Sequence, residues 1–447
     1  MFQSVSIENF RSFAEETTID FRANKSTAHP NTIYTNLYGK SPARITKFNM
    51  LFGPNGSGKS NLIDAISFFR FVIVRGIPDC GISDLANVFK ADELGTIGKV
   101  VFHFSVPESP LLYTYTLTID YSARTLTGEK LSSNKGDIFG WEIGEKELPI
   151  FTQLKAVFSP KADKERYKVY VDDFCSVAKP NKTFLSKLAN MEKDQSTIGN
   201  IEMFFRPILE VFYRIIIFSP SPAKYKDLKD AIIDEGGKLD AMRKEIRRLG
   251  LSFNSIQLEE VDIKTFAENL GMTIKAVEEF ATRIKNRINP GETRHFIRSD
   301  RPYYFGLKEN GDQVFYKIVL HYENGAKLDF ESESSGTQKI VNMLPVLFGE
   351  ECRNNGLFLI DEVDRSLHTN LTKQFVNEII REHGGRTNQF LFTAHDPALL
   401  DTSIFRKDEL FFLENENHAS HIFRLDETSI RIDRDIKKKY TSGQIKV

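Results

Sequence analysis

The amino-acid sequence predicts an α/β fold with a mixed β lobe, a parallel-sheet core and an inserted helical domain. The first observation is a short apolar strand, FNMLF (48–52), which runs into a glycine-rich loop and then into a helix with apolar residues at helical spacing. The second is the final part of the chain, where helical segments alternate with the strands GLFLIDE, QFLFTA and ELFFLE, as in a parallel sheet flanked by helices. The third is a region rich in β-branched and aromatic residues, 99–172, which is typical of antiparallel strands.

The length and composition of the chain exclude several classes of protein. With 447 residues the chain is longer than one hydrophobic core usually becomes, so two or three structural units are expected. Apolar residues make up 40% and charged residues 27%, which excludes collagen-like, low-complexity and wholly disordered chains. The 60 basic and 61 acidic side chains nearly cancel, so no overall charge draws the molecule toward nucleic acid or a membrane.

The cysteine and hydropathy patterns predict a cytoplasmic protein. Cys80, Cys175 and Cys352 lie far apart and outside any metal-binding spacing, which fits a reducing compartment. The amino terminus lacks the basic and apolar regions of a signal peptide. The most apolar run, 62–74, is interrupted by two charged residues and is too short to span a bilayer.

The remaining segments divide the chain into three predicted domains. Residues 4–10 alternate like a half-buried strand, and the polar stretch 24–42 is predicted to be a surface loop. In the β-rich region, VVFHFSV, YTYTLTIDY and YKVYV are predicted strands, and β pattern returns later at VFYKIVLHY and AKLDF. Several short helices broken by glycines are predicted in between. The expected domains are 1–180 (amino-terminal part of the core with the β lobe), 181–291 (helical insertion) and 292–447 (carboxyl-terminal part of the core).

A phosphate-binding loop is the strongest motif in the sequence. GPNGSGKS (53–60) matches the pattern G-x-x-x-x-G-K-[ST] at every position and lies between a strand and a helix, which is the context that the motif requires. Backbone N–H groups of the loop and the positive end of the helix are expected to bind phosphate oxygens. Lys59 would reach the β- and γ-phosphates, and the Ser60 hydroxyl would bind Mg²⁺. The predicted ATP-binding residues of this segment are Gly53, Pro54, Asn55, Gly56, Ser57, Gly58, Lys59, Ser60 and Asn61.

An acidic pair follows the apolar strand in GLFLIDEVD (356–364). In an open α/β sheet, Asp361 and Glu362 at the carboxyl end of such a strand are expected beside the phosphate loop. Asp361 is suited to hold Mg²⁺ together with Ser60, and Glu362 is suited to polarise the water that attacks the γ-phosphate. Acidic pairs at strand ends also occur in solvated turns, so this assignment depends on the loop.

Taken together, these motifs resemble those of the ATPase heads of the ABC and SMC superfamily. The resemblance is closest to bacterial ABC-type ATP-binding proteins of the abortive-infection, AbiL-like group. Before residue 100 and after residue 330, the resemblance depends on particular sequence segments. Between residues 100 and 330, only the general order of elements is similar. The segments are IENFRSF at the amino end, the loop at 53–60, ESSGTQK (333–339), LIDEVDRSLH (359–368) and LFTAHD (391–396).

The resemblance assigns further site residues. Residues 335–338 occupy the position of the family's signature motif, which contacts the γ-phosphate held by the other subunit, although they depart from the Leu-Ser-Gly-Gly-Gln form of transporters. The same residues also fit a polar loop that opens the next helix, with Ser335 as its N-cap. His395 occupies the position of the switch histidine, which contacts the γ-phosphate. The signature residues are therefore Ser335, Gly336, Thr337 and Gln338, and the expected catalytic residues are Glu362, His395 and Asp361.

The function implied by the resemblance is Mg²⁺-dependent ATP hydrolysis at composite sites in a head-to-head homodimer or higher oligomer. ATP would join the two heads and its hydrolysis would release them, so that the nucleotide state sets the populations of joined and separate heads. In the abortive-infection group such a switch belongs to bacterial defence against phage and controls a separately encoded effector. The sequence contains no metal-binding Cys/His set and no nuclease cluster, so nuclease-like chemistry is expected in a partner.

Three other functions stay open at the level of the sequence. A RecF- or SMC-like ATPase of DNA repair or chromosome maintenance would show a positive groove or long coiled coils, whereas this chain has balanced charge and short helices. An ATP sensor without turnover is disfavoured by Glu362, and a transporter subunit is disfavoured by the form of the signature. The basic segment 282–301 and the basic tail 434–447 fit either a nucleic-acid or partner contact or an ordinary solvated surface.

Overall fold

In the computed structural model, the chain forms two compact units. The first comprises Met1–Ile217, Asn354–Val363 and Gly384–Val447, and the second comprises Phe218–Arg353 and Asp364–His383. The three predicted domains stay a prediction. The structure describes residues 1–38, 41–77, 95–107, 109–143, 161–177, 179–189, 200–218, 238–285, 293–295, 303–348, 354–428 and 440.

An antiparallel sheet forms the β lobe of the first unit. Its strand order is β2-β1-β6-β7-β8-β9, and neighbouring strands pair antiparallel throughout. The predicted strands at the amino end and over most of 99–142 are therefore confirmed. The strands are β1 (Phe2–Glu8), β2 (Thr17–Asp20), β6 (Ile97–Ser105), β7 (Leu112–Asp120), β8 (Thr125–Ser133) and β9 (Gly136–Glu142).

A second sheet of the first unit carries the parallel core. Its order is β10-β16-β17-β5-β18-β19; β16, β17, β5 and β18 pair parallel, whereas β19 pairs antiparallel with β18. The carboxyl ends of the parallel strands consequently meet at one edge, as the α/β prediction required. The strands are β5 (Phe48–Phe52), β10 (Ile215–Phe218), β16 (Leu357–Ile360), β17 (Gln389–Ala394), β18 (Leu410–Glu416) and β19 (Ala419–Arg424).

Helix α1 (Lys59–Arg75) shares one hydrophobic core with both of these sheets. Its apolar residues at helical spacing are buried and pack with residues of β1, β6 and β16–β18. On the parallel sheet, stacked phenylalanine rings link neighbouring strands: the centroid of Phe390 lies 5.4 Å from that of Phe48 and 4.7 Å from that of Phe358. The other helices of the first unit are α2 (Lys161–Cys175), α3 (Phe184–Ala189) and α4 (Asn200–Tyr213).

The second unit combines an antiparallel sheet with helices. Strands β11 (Phe253–Val261), β14 (Gln313–Tyr322), β13 (Tyr303–Leu307) and β12 (Thr293–His295) are neighbours in that order, and β15 (Lys327–Asp329) pairs with β14. Its core includes buried residues of α6, α7, β13 and β14. The helices are α5 (Lys238–Arg248), α6 (Ile263–Leu270), α7 (Ile274–Lys285), α8 (Ser335–Met343), α9 (Pro345–Phe348) and α10 (Thr369–His383).

Three predictions about local structure were wrong. YKVYV (167–171) lies in helix α2, because Tyr170, Val171 and Phe174 form one buried helical face whose packing overrides β propensity. The predicted surface loop 24–42 contains β3 (Ile33–Tyr38), which pairs with β4 (Ser41–Thr46). The region predicted to be helical includes the strand β11, whose partner β14 is distant in sequence.

Some predictions concern residues outside those described. These are Cys80 and Cys352, most of the basic segment 282–301, and the basic tail except Tyr440. Among the described residues, no helix combines the length and the apolar character that a membrane crossing requires.

Candidate functional site

The phosphate loop joins strand β5 to helix α1 in the first unit. Residue Gly58 is the N-cap of α1 and has φ 107°, a conformation that favours glycine. The helix therefore begins at Lys59, and the positive end of a 17-residue helix faces the loop. Pro54, Asn55 and Gly56 at the tip of the loop are exposed, whereas Ser57 is 1% exposed.

Two side chains of the loop have their polar atoms directed at neighbouring groups of the site. The Lys59 ammonium donates to the carbonyl oxygens of Gly53 (2.6 Å) and Pro54 (3.0 Å), so it lies over its own loop. The Ser60 hydroxyl donates to Oδ2 of Asp361 at 2.8 Å. The loop and the acidic strand end are thus in direct contact, although 301 residues separate them in sequence.

The acidic pair lies at the carboxyl end of β16 and is held by Thr393 of β17. The Thr393 hydroxyl donates to Oδ1 of Asp361 (2.5 Å) and accepts the backbone N–H of Glu362 (2.7 Å). Asp361 is 7% exposed, and both of its oxygens accept hydrogen bonds from hydroxyl groups. Glu362 has φ 48°, an uncommon conformation for a residue with a side chain.

His395 approaches the acidic pair from the next strand of the sheet. Its Nε2 lies 3.7 Å from Oε1 of Glu362, and both side chains are partly exposed. A charged contact between them requires a protonated imidazole. The structure therefore brings together Lys59, Ser60, Asp361, Glu362 and His395, which the sequence places in three separate segments.

Sequence reasoning missed Thr393. A threonine in an otherwise apolar strand, two residues before the switch-position histidine, was the available signal, because a buried hydroxyl needs partners. Its hydrogen bonds to Asp361 and to the Glu362 N–H support the geometry of both acidic residues.

The amino-terminal turn contacts the start of α1. Asn61 donates from Nδ2 to the Ser12 hydroxyl at 2.7 Å and accepts a hydrogen bond from Arg11 at 3.3 Å. Arg11 also forms an ion pair with Asp64 of the same helix. These contacts hold Arg11 against α1, next to Asn61 of the predicted ATP-binding segment.

The signature residues belong to the second unit, where they begin helix α8. The N-cap is Ser334, whose hydroxyl accepts the N–H of Thr337 at 3.2 Å, so the alternative with Ser335 as N-cap was wrong by one residue. Ser335 is exposed, and the Gln338 amide donates to the carbonyl oxygens of Glu331 and Glu333.

Helix α8 packs closely against the segment that follows the acidic pair. A side chain at Gly336 would overlap the carbonyl oxygen of Ser366, so only glycine permits this approach. The Lys339 ammonium donates to the Arg365 carbonyl at 3.0 Å. His368 is exposed, and its Nδ1 accepts the N–H of Asn370, which is a local helix-start contact.

The hydrogen-bond donors and the oxygen ligands of the site fit a nucleoside triphosphate with a magnesium ion. Ser57 has a buried hydroxyl for which the described residues offer no hydrogen-bond partner, next to a lysine and a helix amino end. Ser60 and Asp361 offer the oxygen ligands that Mg²⁺ prefers. The site is therefore suited to bind phosphates and to place a carboxylate, Glu362, near them.

Comparisons with known proteins place this architecture in a family. A family model described as "AAA domain, putative AbiEii toxin, Type IV TA system" matches residues 48–401. Because this range covers most of the chain, the protein belongs to this AAA family, and the predicted resemblance to abortive-infection ATP-binding proteins is confirmed. The predicted fold class is also confirmed in its α/β core, with the phosphate loop between β5 and α1, and in its antiparallel β lobe.

Solved structures similar to this chain include SMC heads. The SMC head domain from Thermotoga maritima is 14% identical, with a TM-score of 0.37 and coverage of 95% of this chain and 98% of that chain. An Smc head domain with an extended coiled coil, bound to the C-terminal domain of ScpA and derived from Pyrococcus furiosus, is 13% identical, with a TM-score of 0.40 and coverage of 95% and 96%. A search of the curated proteins found no match.

Proposed function

We propose that this protein is an Mg²⁺-dependent ATPase whose two copies close head to head on ATP and separate after hydrolysis. The observation that carries the proposal is the 2.8 Å hydrogen bond from Ser60 to Asp361, which joins the phosphate loop to the acidic strand end. A loop that bound phosphate for structural reasons alone would not require a buried carboxylate next to its serine.

Each residue of the first unit has a defined task in this proposal. Lys59 and the loop N–H groups bind the phosphates, and Ser60 and Asp361 hold the ion. Bound Mg²⁺ neutralises charge on the phosphate oxygens. Glu362 accepts the proton of the attacking water, and His395 lies within reach of the same carboxylate.

The signature residues are proposed to complete the site of the partner protomer. Exposed Ser335 and partly exposed Gly336 at the start of α8 present hydroxyl and N–H donors with little bulk, which suits a γ-phosphate. The close contact of Gly336 with Ser366 would make the helix start and the segment after the acidic pair shift together. The chain division at 1–180, 181–291 and 292–447 is retained as part of this proposal.

The biological role proposed is a switch in bacterial anti-phage defence. The family description names a putative toxin of a toxin–antitoxin system, which supports a growth-control or defence role rather than transport. We place the destructive chemistry in a separately encoded, nuclease-like effector that responds to the ATP-dependent dimer, in the cytoplasm. A trigger that includes nucleic acid is compatible with this scheme and would appear as DNA- or RNA-stimulated turnover.

The Glu362→Gln variant tests the hydrolytic part of the proposal. It keeps the shape of the side chain but removes the proton acceptor, so we expect unchanged ATP affinity and turnover lowered by about 100-fold or more. Light scattering with ATP should then show an accumulated dimer, whereas the wild type should dimerise only transiently. Turnover at the wild-type rate, or a monomer at every ATP concentration, would contradict the proposal.

A further inference from the structure

A hydroxyl relay, formed by Asn61, Ser12, Ser420 and Ser57, lies against the phosphate loop. Asn61 donates to the Ser12 hydroxyl at 2.7 Å, the hydroxyls of Ser12 and Ser420 are 2.8 Å apart, and Ser420 donates to the Ser57 carbonyl at 2.7 Å. The four residues come from the amino-terminal turn, the loop, helix α1 and strand β19.

The direction of the hydrogen bonds follows from the chemistry of the groups. The Ser57 carbonyl only accepts, so Ser420 is the donor of that contact. The Ser420 hydroxyl is also the donor toward the Ser12 hydroxyl, whose oxygen accepts from Asn61 as well, so the one proton of Ser420 is shared between two acceptors. The relay ends on the backbone of the loop, at the carbonyl oxygen of Ser57.

The end of the relay at Ser420 and Ser57 is buried, and the relay leaves no room for a side chain at Gly58. Ser420 is 1% exposed, and a Cβ atom at Gly58 would collide with the hydroxyls of Ser420 and Ser12. The backbone joins the same two segments, because the Ser420 N–H donates to the Ser12 carbonyl at 2.7 Å. The amino-terminal turn and strand β19 therefore both support the loop.

We propose that Ser420 and Ser12 are positioning residues of the nucleotide site. In a planar trans peptide the C=O and the following N–H point in opposite directions. When Ser420 holds the Ser57 carbonyl, the Gly58 N–H therefore points away from the relay. In that orientation the N–H donates to phosphate oxygens. This inference rests on the proposed function of the loop; it adds Ser420, which no motif in the sequence contains, and gives a role to Ser12 of the segment IENFRSF.

We expect substitution of either serine to change the affinity for ATP without changing the rate of the chemical step. Neither serine contacts Asp361, Glu362 or His395 by any hydrogen bond described above. Ser420→Ala removes the hydrogen bond to the loop and Ser12→Ala removes the contact that holds Ser420, so each should raise KM and the ATP dissociation constant about five- to tenfold, with kcat within about twofold. The double variant should resemble Ser420→Ala alone, because the relay is already broken there.

The matched control is Ser6→Ala. Ser6 is a buried serine of β1 whose hydroxyl is 2.7 Å from that of Thr18, and it has no place in the relay. This variant should keep the wild-type KM. Steady-state ATP hydrolysis and equilibrium ATP binding on the full chain give all values, and thermal melting shows which variants fold.

The outcomes separate this inference from the proposed function. The inference is overturned if folded Ser420→Ala or Ser12→Ala keeps the wild-type KM, or if Ser6→Ala raises KM equally. If Ser420→Ala fails to fold, Ser12→Ala decides alone. Lys59→Ala should lose ATP binding; if it does so while the serine variants are normal, the relay proposal fails and the ATPase proposal stands.

Discussion

Two clusters of carboxylates, one in each unit, are compensated in different ways. In the first unit Asp361 accepts hydrogen bonds from two neutral hydroxyls, those of Ser60 and Thr393. In the second unit Glu245, Glu378 and Glu382 offer oxygens close enough to hold a metal ion. If the number of neighbouring carboxylates alone decided, the second cluster would be the better candidate for a metal site.

Two arginines form ion pairs with the three carboxylates of the second cluster. Arg248 lies 2.8 Å from Glu245 and 3.6 Å from Glu382, and Arg381 forms ion pairs with all three carboxylates. Burial raises the pKa of Glu245, and the two guanidinium groups act in the opposite direction. Because two guanidinium groups offset most of the charge of three carboxylates, this cluster holds helices α5 and α10 together, whereas the hydrogen bonds described for Asp361 come from neutral hydroxyls.

Asp361→Asn should have the largest effect among substitutions that separate the two clusters. Loss of the ligand charge should lower Mg²⁺-dependent ATP hydrolysis about 100-fold or more and shift the Mg²⁺ requirement to higher concentration. A titration of hydrolysis rate against Mg²⁺ at saturating ATP measures both effects.

Glu378→Gln is the control for that titration. The same loss of charge in the arginine-compensated cluster should leave the hydrolysis rate per folded molecule unchanged and lower stability by about 1 kcal/mol or less, because the pair is partly exposed. Equal loss of hydrolysis in the two variants would show that the comparison between the clusters is mistaken.

Thr393→Val sharpens the comparison by removing a neutral partner of Asp361 while keeping the shape of the side chain. Asp361 and the Glu362 N–H would each lose a hydrogen bond, so we expect kcat to fall about tenfold. Thr372→Val is a matched change at a buried threonine of helix α10, and it should leave kcat unchanged. A wild-type kcat in Thr393→Val would mean that this threonine has no part in orienting the acidic pair.

The strands that carry the site could be predicted because local pattern and tertiary environment agree there. FNMLF and QFLFTA are short apolar runs bounded by turn residues, and both lie in the parallel sheet with every residue buried. YKVYV has equal β propensity, but its neighbours complete a helical face, and packing decided in favour of the helix.

The supporting residues of the site could not be predicted from the sequence. Thr393 acts on Asp361 across 32 residues, and Ser420 acts on Ser57 across 363 residues. Serine and threonine are frequent and mostly exposed, so their partners become visible only when the strands are assembled. The motif itself was predictable because phosphate binding needs its glycines and lysine at fixed spacing.

The most direct test of the central claim, that two protomers complete each other's site, uses two inactive variants in one tube. Lys59→Ala should abolish ATP binding at its own loop, and Ser335→Arg should block the signature offered to the partner. Each variant alone should be inactive in a steady-state ATPase assay, but their mixture should regain hydrolysis, since one composite site per mixed dimer is intact. A mixture as inactive as its components, or full activity of Ser335→Arg alone, would contradict the account.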